Sequence, residues 1–145
     1  MPHQPDSIRW RLHLASPPLK VYRILATDEG RARFWAESAQ EQDGAVHFVF
    51  PNGHTWRGKI IEATPPRRFV LEYYGGSITS FELEADGQGG NDLTLTDAHV
   101  PAQDRAEVLA GWVSVLMALK AAVDFEVDLR NHDHTRTWGE GYADN

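Results

Sequence analysis

The sequence predicts an α+β fold in which a curved antiparallel sheet wraps around one long C-terminal helix. Strands and helices occur in separate runs, and the connections between consecutive strands are short, which favours an antiparallel meander. The last helical segment, residues 101–129, would span roughly 40 Å at about 1.5 Å per residue. It must therefore lie across a curved sheet to bury its apolar side. A sheet curved around a helix does not close-pack everywhere, so this geometry favours a cavity between the two.

The chain begins with a strand and two short helices. Apolar and basic residues alternate over 8–14, as in a strand with one buried face. Ser16 is expected to cap a helix that has Pro17 and Pro18 in its first turn. Thr27, which is followed by two acidic residues, is expected to begin a second helical segment ending at Phe34-Trp35.

Five more strands and one long helix complete the prediction. Glycine- and proline-containing turns delimit the strands, which we place at 45–50, 55–63, 68–74, 77–85 and 93–99. One helix is expected over 103–127, with Trp112, Leu116 and Leu119 facing the sheet because they share an apolar stripe. Gly111 lacks a side chain and is expected to let this helix approach neighbouring backbone closely.

Composition excludes several function classes. The 145 residues include 14 Lys and Arg against 21 Asp and Glu, a formal net charge of −7. Such a chain lacks the basic footprint of a protein that binds nucleic acid or an anionic membrane. It has no cysteine, which excludes disulfides, thiolate nucleophiles and cysteine-ligated zinc.

The expected organisation is a single domain over 1–145, with a folded core at 8–129 and a polar tail at 130–145. The N-terminus lacks a signal-peptide pattern, and no apolar stretch is expected to span a membrane. We therefore expect a cytoplasmic protein.

Four stretches carry a resemblance to a known family. They are Ala15-Ser16-Pro17-Pro18-Leu19-Lys20-Val21-Tyr22, residues 27–35, Thr64-Pro65-Pro66-Arg67-Arg68-Phe69-Val70, and Gly111-Trp112 leading into Leu116 and Leu119-Lys120. In this order they resemble the START-like (SRPBCC, helix-grip) superfamily, and within it homologues of the activator of the ninety-kilodalton heat-shock protein's ATPase. The resemblance implies the helix-grip fold. It leaves the function open, because the superfamily includes lipid carriers, polyketide cyclases, plant ligand binders and co-chaperone domains.

Aromatic side chains are the first candidates for a binding site. The aromatic residues of the predicted core are Phe34, Trp35, Phe48, Phe50, Trp56, Phe69, Tyr73, Phe81 and Trp112. Each alone is explained by core packing, but together they fit a mostly apolar ligand pocket. The predicted lining residues are Trp35, Phe48, Trp56, Phe81, Trp112, Leu116 and Leu119.

Two titratable residues are predicted to lie on the apolar face of the last strand. Strand alternation puts Asp97 and His99 on the side of Leu93 and Leu95. There they could bind a polar ligand group or act as acid and base. Alternatively, the strand twists out into solvent and His99 caps the helix that begins near Pro101.

No metal or cofactor is expected. The tail segment His132-Asp133-His134 offers two imidazoles without a spaced third ligand. We find no phosphate-binding glycine loop, nucleophile elbow or HExxH motif.

Three functions remain open. The first is binding of a small hydrophobic or amphipathic ligand in the cavity, with a monomer or homodimer as the assembly. The second is a chaperone-associated protein-interaction module, as the resemblance implies, acting on a chaperone or other protein. The third is a cyclase- or hydrolase-like enzyme, which nothing in the sequence requires.

Overall fold

The seven strands form one antiparallel sheet in a computed structural model that describes residues 7–145. In chain order they are β1 (Ile8–Leu14), β2 (Ser38–Gln42), β3 (Ala45–Val49), β4 (Thr55–Thr64), β5 (Arg68–Glu72), β6 (Ile78–Ala85) and β7 (Asn91–Ala98). Their spatial order is β1-β7-β6-β5-β4-β3-β2. The helices are α1 (Pro18–Ala26), α2 (Asp28–Ala32) and α3 (Arg105–Phe125). The predicted α+β helix-grip fold is confirmed.

Strand β2 is absent from the sequence prediction. Its sequence is Ser-Ala-Gln-Glu-Gln, and only Ala39 is buried. It pairs with β3 at the edge of the sheet, in a register that places Ala39 opposite Phe48. An edge strand needs few apolar residues because one side of it faces solvent, so hydrophobic alternation does not reveal it.

Of the two predicted helix caps, Thr27 and Ser16, one is confirmed and the other is wrong. Thr27 caps α2 as predicted, because its hydroxyl accepts a hydrogen bond from the Gly30 amide at 3.1 Å. The prediction for Ser16 is wrong, since Pro17 is the N-cap of α1. The Ser16 hydroxyl instead donates to a carboxylate oxygen of Asp124 at 2.7 Å. It thereby joins the corner after β1 to the end of α3.

Helix α3 confirms the predicted long helix and its stripe. Trp112, Leu116 and Leu119 are buried in the core between helix and sheet. The helix ends at Phe125, where Glu126 adopts a left-handed conformation with φ of 57°. The expectation for Gly111 is wrong: a Cβ atom there would meet nothing within 4 Å, so no backbone approaches it closely.

By length and composition alone, Ala102–Phe125 could cross a membrane, contrary to the sequence expectation. In the fold, however, its buried stripe packs against the sheet, as in the core helix of a soluble protein.

After α3 the chain folds back on itself. The Asn131 amide donates to the Asp144 carbonyl at 2.7 Å, and the Asn131 side chain donates to the Arg136 carbonyl at 3.0 Å. These bonds close a segment of the size of an Ω-loop. We call residues 130–145 the C-terminal loop.

Candidate functional site

Aromatic side chains from six parts of the chain meet on the concave face of the sheet, beneath α3. We call this set the aromatic cluster; its members are Trp35, Phe48, Phe50, Trp56, Tyr73, Phe81 and Trp112. Trp35 contacts Phe48, Phe81 and Trp112 with ring centroids at 4.9, 5.3 and 6.0 Å. The five predicted aromatic lining residues therefore lie together. Leu116 and Leu119 are buried on the same stripe of α3 as Trp112.

Tyr73 is central to the aromatic cluster although it is absent from the predicted lining residues. Its ring lies 5.1 Å from Trp112, 5.2 Å from Phe48 and 5.3 Å from Trp56. Tyr73 follows Phe69 and Leu71 at alternate positions, and both of these are buried. Extending that alternation by one step beyond β5 would have identified Tyr73 from the sequence.

Asp97 supplies a buried carboxyl group beside the aromatic cluster. Its side chain is only 1% exposed. Trp112 Nε1 donates to one carboxyl oxygen at 2.8 Å, and the Thr79 hydroxyl donates to the other at 2.9 Å. Thr79 can do so because it lies directly opposite Asp97 in the β6–β7 register. Burial raises the pKa of Asp97 above its usual range, and the bonds from Trp112 and Thr79 only partly oppose this.

The hydroxyl of Tyr73, a partly buried residue, is a second polar group in the aromatic cluster. It accepts a hydrogen bond from Trp35 Nε1 at 2.9 Å. Burial, together with the nearby charge of Asp97, raises the pKa of Tyr73 strongly. The hydroxyl therefore remains protonated at neutral pH, and its hydrogen can be donated to a further acceptor.

Three buried side-chain atoms lack a hydrogen-bond partner among residues 7–145: Trp56 Nε1, Ser77 Oγ and Asn91 Oδ1. Trp56 belongs to the aromatic cluster, with its ring 4.4 Å from Phe50 and 5.3 Å from Tyr73. Ser77 is close enough to Asp97 to lower the pKa of its carboxyl group. Trp56 Nε1 is thus the hydrogen-bonding group that is buried in the aromatic cluster without a protein partner among these residues, whereas Ser77 lies beside the Asp97 carboxyl group.

His99 is not buried with Asp97. Strand β7 ends at Ala98, and His99 takes a left-handed conformation with φ of 65°. This conformation ends the strand alternation on which the shared face depended, and the His99 side chain is exposed.

Other parts of the surface offer polar clefts. One lies on the outer face of the sheet, where Arg68 pairs with Glu62 and Glu82. Another lies between the start of α2 and the β2–β3 turn. Within residues 7–145, no group of three or more His, Asp or Glu side chains is arranged to hold a metal ion.

Sequence comparison identifies the family. The profile described as "Activator of Hsp90 ATPase homolog 1-like protein" matches residues 15–124, which include every strand except β1, all of α1 and α2, and nearly all of α3. The chain belongs to the Activator of Hsp90 ATPase homolog 1-like family. No curated protein matches the chain significantly.

Solved structures have the same fold as this family member. The Aha1 dimer from Colwellia psychrerythraea matches with a TM-score of 0.74 and 22% identity over 82% of this chain and 96% of that chain. CV1439 from Chromobacterium violaceum matches with a TM-score of 0.70 and 26% identity over 83% and 99%. CalU16 from Micromonospora echinospora matches with a TM-score of 0.66 and 26% identity over 83% and 77%. The aromatic cluster of this family member lies within the matched residues, whereas its C-terminal loop lies outside them.

Proposed function

We propose that this chain binds one small hydrophobic or amphipathic molecule between α3 and the concave face of the sheet. The main support for this proposal is Trp56 Nε1, a buried N–H group that lies among stacked aromatic rings and has no hydrogen-bond partner among the described residues. Leaving such a donor unpaired costs about 1–3 kcal/mol. A ligand that brings a hydrogen-bond acceptor to Trp56 removes that cost.

The chemistry of the aromatic cluster narrows the ligand class. A flat or ring-shaped apolar body fits among aromatic faces, and one or two polar atoms would reach Trp56, the Tyr73 hydroxyl or Ser77. The buried Asp97 carboxyl group marks the polar end of the site. His99, which is exposed just beyond Asp97, would contact only a ligand part that extends to the surface.

The expected affinity is modest. Burying roughly 250 Å² of apolar ligand surface at about 25 cal/mol per Å² contributes roughly 6 kcal/mol before the costs of association. This corresponds to micromolar or weaker binding unless polar contacts strengthen it. Entry also requires movement of rings that now contact one another, such as Phe50 and Trp56.

Probe binding to a matched pair of variants tests this proposal. Trp56→Phe keeps an aromatic ring and removes the unpaired donor. Trp10→Phe is the control, because Trp10 Nε1 already donates to the Leu109 carbonyl at 3.4 Å. We expect 1-anilinonaphthalene-8-sulfonate, which has an aromatic body and acceptor oxygens, to bind the wild type. Trp56→Phe should weaken this binding by about 2- to 13-fold, the equivalent of one ordinary hydrogen bond.

The measurement is the fluorescence titration of the probe, with urea unfolding of each variant as the stability control. Equal affinities for the wild type and Trp56→Phe, or no probe binding by the wild type, would overturn the proposed site. Native mass spectrometry of the purified chain then identifies any molecule that it retains from the cell.

A protein-interaction module is the second candidate, and the outer face of α3 favours it. Val113 and Met117 are 42% and 47% exposed there, one helical turn apart. Such a face fits a chaperone surface or a second copy of the chain. An ATPase assay with an Hsp90-type chaperone tests the first option, and sedimentation velocity tests the second. For either function we propose a cytoplasmic location, which the soluble fold supports.

A further inference from the structure

The C-terminal loop is pinned to the body of the protein at its first residue. The Arg130 guanidinium donates to the Ala36 carbonyl at 2.8 Å and to the Ala32 carbonyl at 2.6 Å. Its Nε also donates to Asp128 at 3.0 Å, and its side chain is almost fully buried. Because arginine stays protonated across the physiological range, its bonds to the two carbonyls do not depend on pH there.

Two later contacts carry the loop across the molecule. His134 Nδ1 lies 3.3 Å from the Pro51 carbonyl, next to Phe50 in the turn after β3. Trp138 Nε1 donates to Glu107 at 3.2 Å, in the first turn of α3. The loop therefore bridges the N-terminal part of α3 and the end of the sheet that carries Phe50. Because Pro51 directly follows Phe50, the loop lies next to one edge of the aromatic cluster.

His132 lies between two carboxylates. Its Nδ1 is 2.9 Å from a Glu37 oxygen, and its Nε2 is 2.8 Å from an Asp128 oxygen. Ionised carboxylates only accept hydrogen bonds, and imidazole donates from both nitrogens only when it is doubly protonated. A neutral ring would keep one of the two bonds and turn a nitrogen lone pair toward the other carboxylate.

We propose that the C-terminal loop is a pH-dependent cover over one side of the aromatic cluster, with doubly protonated His132 as its latch. Deprotonation of His132 breaks one of its two carboxylate bonds and releases the loop beyond its Arg130 anchor. Only one part of this inference rests on the proposed function, namely that opening of the loop exposes a ligand-binding site. The latch itself is independent of any ligand.

The charged groups around His132 set the direction of the effect. They are Asp128 and Arg130 from its own segment, and Glu37 from the segment that precedes β2. The bonds to Asp128 and Glu37 raise the pKa of His132 above 6.5, although burial and Arg130 oppose this. The stabilisation of the closed loop is therefore complete below about pH 6.5 and is lost as the pH rises through the raised pKa.

Asp128 sets the acidic limit. Burial alone would raise the pKa of Asp128, but hydrogen bonds from Arg130 and His132 lower it overall, below 3.8. Its contribution is present above pH 3.8 and is lost as the pH falls through the lowered pKa. The cover is thus held most firmly between about pH 4 and 6.5.

Fluorine NMR of the full chain labelled with 5-fluorotryptophan tests the latch. Trp138→Phe assigns the Trp138 resonance, and the resonances of the other tryptophans report an intact fold. In the wild type we expect one docked Trp138 resonance at pH 6. By pH 9 the undocked population should rise at least about tenfold, the equivalent of one lost hydrogen bond to a charged group.

Substitutions at two histidines of the loop complete the test. His132→Arg keeps a charge that does not titrate and should leave the loop docked up to pH 9. His132→Gln cannot become charged and should be undocked to the same extent at both pH values. His134→Gln removes the other imidazole of the loop, and because a glutamine amide can still donate to the Pro51 carbonyl, this control should keep the wild-type pH dependence.

A Trp138 resonance that does not change between pH 6 and pH 9 in the wild type would overturn the latch, as would a His132→Gln variant that keeps the wild-type pH dependence. These readouts use no ligand. A failure of probe binding therefore removes the proposed function without affecting the latch, and the reverse also holds.

Discussion

At the scale of single residues, the buried charged side chains Arg31 and Asp97 have different roles. Arg31 is fully buried, and its guanidinium donates to the carbonyls of Ala39 and Leu25 and to Asp28. Every partner belongs to the corner around α2, so Arg31 organises backbone. Asp97 is equally buried but lies beside the aromatic cluster, and two side-chain donors hold it. Only Asp97 combines burial with access to the proposed site.

Asp97 makes the stability of the protein depend on pH. Its raised pKa means that the folded state binds a proton more tightly than the unfolded state does. Stability should therefore fall as the pH rises from the ordinary value of 3.8 to the raised pKa, and should not change further above it because of this group. In Asp97→Asn the amide can accept from Trp112 and donate to Thr79, so both contacts persist without a buried charge.

We expect Asp97→Asn to fold and to lose this part of the pH dependence. Asp97→Leu leaves the donors of Trp112 and Thr79 unpaired and should cost about 1–3 kcal/mol relative to Asp97→Asn. Urea unfolding at a series of pH values from 4 to 8 measures both effects. If Asp97→Asn keeps the wild-type slope, the titration belongs to another group.

At the scale of elements, the sequence predicts those whose apolar residues repeat regularly. The stripe of Trp112, Leu116 and Leu119 on α3 and the alternation of Leu93, Leu95 and Asp97 on β7 both follow from periodicity, and the buried faces agree with it. The same regularity brought the five predicted aromatic lining residues to one face. Periodicity therefore predicts the concave side of the fold.

Elements whose neighbours are distant in sequence were not predictable in this way. Ser16 has the residue type and position of a helix cap, but Asp124 lies within reach of it only after α3 has packed. Gly111 suggests a close helix contact, yet open space surrounds it. The sequence draws attention to His132 only as a possible metal ligand, and it does not show the pairing with Glu37, which is 95 positions away. In each case tertiary contacts decide what local chemistry leaves open.

At the scale of the whole molecule, α3 connects otherwise separate parts of the structure. Its Trp112 reaches the sheet, its Asp124 binds the corner after β1, and its Glu107 receives Trp138 from the C-terminal loop. Helix α3 therefore contacts the sheet, the corner after β1 and a segment that lies outside the family match.

Trp112 is the residue through which this organisation is best tested. It is 3% exposed, its ring contacts Trp35, Tyr73 and Phe81, and it donates to Asp97. Trp112→Ala removes all of these contacts at once and should cost about 3–5 kcal/mol, as for other large buried aromatics. Trp10→Ala is the comparison, because Trp10 is only partly buried on the edge strand β1, and it should cost less than half as much.

The midpoints of urea unfolding, followed by both fluorescence and circular dichroism, measure the two costs. We expect a single transition for each variant, because α3 and the sheet share one core and a small domain usually unfolds cooperatively. A Trp112→Ala variant no less stable than Trp10→Ala would mean that the rings around Trp112 are loosely packed, with space already available to a ligand. If Trp112→Ala costs the full amount of about 3–5 kcal/mol and the wild type binds no probe, the aromatic cluster is core and not a binding site.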